Sequence, residues 1–297
     1  VETEIEEIPI TVNIVRFDKE FAAAKPSDLE ALKTKFPVLF PKQFHDSIWI
    51  QKMQDTLQRQ LSEEVAKKFP SDLQLETELH SLFQHIKYYF PEFRTPMVIT
   101  TTTDVDYRNK VVLSGDLLII GLDNYLGSDH FFYGGIKKYI SQNLKVTQIT
   151  PDIASAYAQQ LIARPQQRSL LAQMVFFGKE LYLKDLWIPD EGDAEKIGYT
   201  EAQLQWARDN ETEIWRYFVE REILFSTDTK LPAQFINPAP FSKFYLEIDN
   251  ESPGMIGRYL GWQIVRAYMK NNDVSVVQLM IKEPEALFKE SKFKPAK

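Results

Sequence analysis

The sequence predicts an α+β fold that is predominantly helical, with a small three- to four-stranded sheet followed by a helical C-terminal half. Three observations predict it. Short β-branched runs fall between residues 8 and 121. Apolar residues recur every three or four positions from Leu57 to Phe90, the spacing of one helix face. From Asp152 onward long amphipathic patterns are separated by prolines, which end helices because they lack an amide donor.

In order along the chain, Val1-Glu2-Thr3-Glu4-Ile5-Glu6-Glu7 is an acidic leader, expected to be a tether over residues 1–7. Ile8 to Phe17 alternates as a half-buried strand, with Ile8, Ile10, Val12 and Ile14 on one face. Ser27-Asp28-Leu29-Glu30 and Ser71-Asp72-Leu73-Gln74 each place a hydroxyl three residues before Glu or Gln, a pattern that satisfies the free amides at a helix start. Leu57, Leu61, Val65 and Phe69 form one apolar stripe, and Leu75, Leu79, Leu82, Phe83, Ile86 and Phe90 another, giving a helical hairpin broken at Pro70. Met97 to Thr103, Val111 to Leu113 and Asp116 to Gly121 are strands, the last two joined by a turn at Ser114-Gly115. Helices are expected at 152–163, 169–187, 200–224, 254–271 and 284–291. The stretch from Leu224 to Ile248, rich in proline and aromatics, reads as an extended segment with its rings buried. Residues 8–297 are therefore expected to form a single domain, with a sheet-containing part at 8–150 and a helical part at 151–297.

Composition removes several functions. The net charge of −7 disfavours a nucleic-acid backbone. With no cysteine there is no disulfide, thiolate metal site or cysteine nucleophile. No run of about 18 apolar residues suggests a membrane span. Neither a G-x-S-x-G elbow nor a glycine-rich nucleotide motif occurs, so no cofactor is expected.

A small sheet followed by helices is also the layout of zincin peptidases, which need two histidines four residues apart on one helix, with a glutamate beside the first. No HExxH occurs among His45, His80, His85 and His130. His80 and His85, five apart, are separated by about 140° around a helix, so they cannot share one ion and are expected on a solvent or interface side.

Three clusters remain. Gly121 to Gly135 is a polar and aromatic loop in which Asp123, Asn124, Asp129 and His130 carry oxygen and nitrogen donors without EF-hand spacing. It reads as a turn-rich loop with Gly127, Gly134 and Gly135 at positive φ and Phe131 to Tyr133 anchoring it. From Ser252 to Met269, Ile256, Leu260, Ile264, Ala267 and Tyr268 form an apolar stripe. Gly257 and Gly261 lie one turn apart, flanked by Arg258, Trp262 and Arg266, and are expected to let another backbone approach closely. Around Trp215, Glu213, Arg216 and Glu220 are spaced as an ion-pair ladder.

These clusters also carry a resemblance. Gly121-Leu122-Asp123-Asn124-Tyr125-Leu126-Gly127, Met174 to Tyr182, and the tract from Phe218 to Asn272 with LFSTDTKL, PAPFSKFYLEIDNESPG and GRYLGWQIVRAYMKNN, then the ending SKFKP, are similar to the GldB gliding-motility lipoprotein family of Bacteroidetes. The resemblance implies a lipid-anchored protein of the cell envelope facing the periplasm. Its anchor is an acylated N-terminal cysteine, which this sequence lacks, and its partners are other envelope proteins of the gliding apparatus. It also implies a degenerate zincin-like fold, a distant likeness to putative zinc-dependent peptidases. Gln173-Met174-Val175-Phe176-Phe177 then stands where HExxH would be, so the metal centre is lost.

The expectation is a non-catalytic binding or scaffolding protein, a pseudo-peptidase with neither metal nor cofactor. Its cleft is rimmed by Asp123, Asn124, Tyr125, Asp129 and Tyr133 on the loop and by Arg258, Trp262 and Arg266 on the helix. Two alternatives stand beside it: a hydrolase using Glu220, Glu222, Asp123 and Asp129, and a periplasmic carrier of a small ligand.

Overall fold

The computed structural model describes residues 2–246 and 249–296. Its sheet comprises β1 (Asn13–Arg16), β2 (Met97–Thr101), β3 (Val111–Ser114) and β4 (Leu117–Gly121), in the order β1-β2-β4-β3. β2 runs parallel to both β1 and β4, and β3 and β4 form an antiparallel hairpin. Gly115 turns that hairpin at φ +58°, a conformation that costs glycine little.

Six helices precede β2: α1 (Glu2–Glu6), α2 (Phe17–Ala23), α3 (Leu29–Lys35), α4 (Asp46–Gln54), α5 (Thr56–Lys68) and α6 (Leu73–Tyr89). After β4 the described residues form α7 (Lys138–Ser141), α8 (Ile149–Leu161), α9 (Leu170–Trp187), α10 (Asp193–Ile197), α11 (Glu201–Asp209), α12 (Glu211–Glu220), α13 (Leu231–Phe235), α14 (Ile256–Asn271), α15 (Val276–Ile281) and α16 (Pro284–Ser291). None is long and apolar enough to cross a membrane.

Side chains of a strand alternate between faces, and here each face has its own core. Val98, Leu118 and Ile120 point into the larger one, shared with α6, α8, α9 and α14. Ile99, with Leu117 and Ile119 beside it, points into a smaller one closed by Phe17, Phe21, Phe36 and Phe40 from the N-terminal helices. Because α6, α9 and α14 line the same core as the sheet, the helical C-terminal half and the sheet-containing part are packed together.

Several expectations shift. The strand expected from Ile8 to Phe17 covers only Asn13–Arg16, the residues that pair with β2, and Phe17 begins α2. Arg16 holds that junction, bonding Asp18, Asp72 and the carbonyl of Phe69. The acidic leader is a docked helical turn rather than a tether. Ile5 is buried, Gln84 Nε2 donates to the carbonyls of Glu6 and Ile8 at 2.9 Å each, and Tyr88 reaches Glu4. Val1 and Lys297, the ends of the expected tether and domain, lie outside the described residues. Leu57 is exposed, since the first turn of α5 runs past the core that Leu61 and Val65 enter. At the first expected cap the carboxylate of Asp28, rather than Ser27, bonds the Lys25 amide. At the second, Ser71 Oγ accepts from the Leu73 amide.

The single helix expected over 200–224 breaks at Asn210, which donates to the carbonyl of Trp206. Glu211 is thereby buried, bonding the Tyr259 hydroxyl and the Ala296 amide. Arg216 pairs with Glu213 at 2.7 Å on the exposed face of α12. The stretch after Leu224 contains α13 and buries Phe235, Ile236 and Phe244. Its last two residues, Glu247 and Ile248, lie outside the described ones.

The closest packing lies between α9 and α14. A Cβ on Gly261 would stand 1.8 Å from the carbonyl oxygen of Met174, and one on Gly178 would stand 2.3 Å from that of Gly261. Backbone touches backbone at this crossing, as the paired glycines of α14 suggested. Gly257 instead faces Ile236 and the carbonyl of Phe235.

Candidate functional site

The loop residues expected to rim a cleft are largely consumed by the fold. Asp123 is fully buried, and its carboxylate accepts from the backbone amides of Thr103 and Val105 at 2.7–3.0 Å. Burial raises its pKa and those amides oppose the rise. Asn124 donates to Thr103 Oγ1 and the carbonyl of Gly121, leaving its own oxygen buried without a partner. Tyr133 donates to the carbonyl of Asp123 and accepts from the Leu126 amide, tying the loop to itself. Tyr125 is buried with its hydroxyl on Asp152 at 2.9 Å. Asp129 is exposed and pairs with Lys138.

The anchoring of this loop also departs from expectation. Phe131 is exposed, and only Tyr133 of the three rings is fully buried. His130 stacks on Phe131 and Phe132 and lies 3.1 Å from Glu64. Gly127 takes a positive φ, whereas Gly134 and Gly135 do not.

On α14, Trp262 and Arg266 are likewise engaged. Trp262 is buried and donates to Asp185. Arg266 makes four bonds of 2.7–3.1 Å to Asp185 and Asp193 while stacking over the indole of Trp262. This lattice of charge-assisted bonds fastens α14 to α9 and α10.

Arg258 points elsewhere, into a cleft of about 350 Å³ between α8, α9, α14 and the loop before β3. The cleft holds five basic side chains, Arg108, Lys110, Lys184, Lys196 and Arg258, against two acidic ones, Asp152 and Glu180. A local excess of positive charge therefore sits inside a chain of net charge −7.

Each charge has a definite posture. Arg258 donates Nε to the carbonyl of Ile236 at 2.7 Å, and its guanidinium lies 3.7 Å from the centroid of the Phe177 ring. Lys184 is buried and donates to the carbonyl of Lys196 at 2.7 Å. Lys110 pairs with Asp152 at 2.6 Å, and Lys196 reaches Asp185. Glu180 is buried, accepting from Ser155 at 2.6 Å and from Gln159 at 2.9 Å. Burial lowers the pKa of Lys184, with Arg258 and Lys110 pushing the same way and Glu180 and Asp152 opposing. Burial also lowers Arg258, with Glu180 opposing.

Phe177, Glu180 and Lys184 bring one face of α9 to the cleft. Gln173 lies a turn earlier, half-buried with its amide on the carbonyl of Arg168, and Met174 fills the core at the Gly261 crossing. Of the five residues expected at the place of HExxH, Phe177 lines the cleft beneath the Arg258 guanidinium and Met174 faces packing. The cleft-facing residues four apart are Phe177 with Leu181 and Glu180 with Lys184, the second pair lying about two turns beyond Gln173 and Phe177.

The histidines are scattered. His85 is buried, with Nδ1 2.8 Å from the carbonyl of Ser81 and Nε2 3.3 Å from Glu2, while His45 caps α4 through the Ser47 amide. Among the described residues no group of three or more His, Asp or Glu side chains is arranged to hold a metal ion. The carboxylates of the hydrolase alternative are also dispersed: Asp123 is buried under loop amides, Asp129 is exposed, and Glu220 and Glu222 are exposed at the end of α12.

Sequence reasoning missed Lys110, Glu180 and Lys184. A signal existed in Gly178-Lys179-Glu180-Leu181-Tyr182-Leu183-Lys184-Asp185, four charges within an otherwise apolar helix. Charged residues are rarely buried unless paired or functional.

A second, shallower groove of about 460 Å³ lies between α4, α5 and Asp104. Its lining includes exposed Ile48 and Leu57 and the surface pair Lys52–Asp104, so it lacks the buried charge of the cleft. Compared with known proteins, the chain matches the sequence profile of the family described as gliding motility protein GldB over residues 1–295. No curated protein and no solved structure matches it.

Proposed function

The chain belongs to the gliding motility protein GldB family, and from that premise we propose that it is a non-catalytic protein of the cell envelope that supports gliding by binding. In this reading a lipid anchor holds it at a membrane facing the periplasm, and the basic cleft engages another component of the gliding apparatus. The fold is that of a peptidase whose metal site has been given up.

One observation carries the reading. The cleft-facing charged pair on α9 is Glu180 and Lys184, a carboxylate already bonded by two side chains and an ammonium that repels a cation. Zinc at such a pair needs two neutral imidazoles or carboxylates with free lone pairs, so the position suits binding more than metal catalysis. The dispersal of Asp123, Asp129, Glu220 and Glu222 gives the hydrolase alternative no common site. The cleft itself favours a second reading, a carrier of a small ligand. Native mass measurement of protein taken from cells separates the two by the presence of a bound small molecule.

The direct test is crosslinking in gliding cells followed by identification of the attached partner, with metal analysis and a peptide-cleavage screen on the purified protein. The expected result is a captured envelope protein and no cleavage. One stoichiometric zinc together with peptide cleavage would overturn the proposal.

A further inference from the structure

Beyond the gliding role, the cleft has a chemistry of its own. Its two carboxylates are engaged within the protein: Glu180 by Ser155 and Gln159, Asp152 by Tyr125 and Lys110. Its cations are not saturated. The terminal guanidinium nitrogens of Arg258 have no hydrogen-bond partner among the described residues, since only Nε is used. Lys184 gives one of its three donors to a carbonyl.

We infer that this cleft is an oxyanion-binding site that takes a carboxylate or phosphate head group on Arg258 and Lys184. The inference rests on the binding reading above and names the ligand class for it.

Geometry supports the assignment. The carbonyl of Ile236 and the ring of Phe177 fix the guanidinium plane of Arg258 before any ligand arrives. A planar fork held in this way suits the paired oxygens of a carboxylate or phosphate better than a lone ammonium does. Arg108 at the rim and Lys110 on the wall add attraction for an incoming anion. A volume of about 350 Å³ accommodates a small head group, at the lower end of ordinary ligand pockets. An anion would also offset the repulsion among Arg258, Lys184 and Lys110, which together with burial holds the lysine pKa down.

The test uses the full chain. Its thermal midpoint is measured in inorganic phosphate, in succinate, and in sodium chloride at matched ionic strength, with neutral succinamide as a further control. Salts that strengthen burial generally also raise stability, so the decisive quantity is the excess over chloride that depends on the cleft. At least one oxyanion should give such an excess, with saturation. Which one does so separates a phosphate-bearing ligand from a carboxylate-bearing one. In R258Q the apparent affinity should fall roughly tenfold or more, the loss of a charge-assisted pair. The double variant R108Q/K110Q, changed on the rim and wall, should weaken binding too, and it guards against R258Q failing to fold.

No excess over chloride, or an excess retained in both variants, overturns the assignment. The same variants in cells keep the two readings apart. Oxyanion binding that the variants abolish while cells glide normally would leave the site standing and remove its role in gliding. Motility lost with no oxyanion effect in the native protein would do the reverse.

Discussion

Substituting Gly261 by alanine perturbs the glycine position at which an added Cβ would meet its nearest atom, among the described residues. The new Cβ would sit 1.8 Å from the carbonyl oxygen of Met174, and ordinary contact begins at 3.4 Å, so the helices must part by about 1.6 Å. A gap of even ~1 Å forfeits a quarter to a half of a packing contact. Met174, Val175, Leu260 and Ile264 are fully buried around the crossing, each contributing about 1.5–3 kcal/mol when packed. Losing half of that costs roughly 3–6 kcal/mol, offset by about 1 kcal/mol of better helix propensity. The expected net loss of roughly 2–5 kcal/mol is a large share of a typical folding free energy. Urea unfolding followed by circular dichroism should show the midpoint falling at unchanged slope. Gly135→Ala, where a Cβ meets nothing within 4 Å at a φ outside the left-handed region, should stay within about 0.5 kcal/mol of the native protein. If Gly261→Ala matched that control, the backbone contact would not be the constraint described.

Three further outcomes follow from buried charge. Arg266→Leu leaves Asp185 with Trp262 and Lys196 and Asp193 with Arg208 alone, and should cost about 2–3 kcal/mol in the same titration. Although burial alone would raise Asp193, Arg266 and Arg208 hold its carboxyl below the usual value. Its stabilisation is thus present above the unfolded pKa and lost as pH falls through the lower folded one, so Arg266→Leu should flatten acid unfolding. Lys179 donates to the carbonyls of Met280 and Lys282, and burial pushes its pKa down to about 8 from 10.5. Between those values the unfolded chain binds more protons than the native one, so this group makes stability rise with pH. Comparing native protein with Lys179→Met across that window should show the rise diminish, and identical pH profiles would refute it. Asp123→Asn places an amide where a carboxylate accepts from Thr103 and Val105. About 2–3 kcal/mol should be lost in thermal unfolding.

The legible parts of this fold were those governed by local pattern. The β-branched runs marked β2, β3 and β4, and the glycine pair on α14 announced a close backbone crossing. What escaped depended on partners distant in sequence. β1 gives way to α2 at Phe17 while Arg16 bonds Asp72, fifty-six residues away, and the leader docks because Gln84 offers an amide to its carbonyls. At the candidate site the loop of Asp123 and Tyr133 looked like a rim because polar and aromatic residues crowd it. Those groups instead satisfy the buried amides of neighbouring turns, a need that composition does not distinguish from ligand recognition. Arg258 was identifiable from its place beside the glycines. Lys184 was hidden inside a helix whose apolar character drew attention to packing.

The crossing of α9 and α14 bears on how strongly the cleft can hold anything. Phe177 directly precedes Gly178 on one helix, and Arg258 lies a turn before Gly261 on the other. The ring and the guanidinium stacked on it at the cleft wall are therefore positioned by two main chains in contact, a spacer with little room to compress. Little free energy need be spent on drawing the walls together when a ligand enters, and affinity gained in this way comes from rigidity rather than added contacts. By the same logic, a side chain as small as a methyl group at that spacer would displace the stacked pair as well as lower the stability.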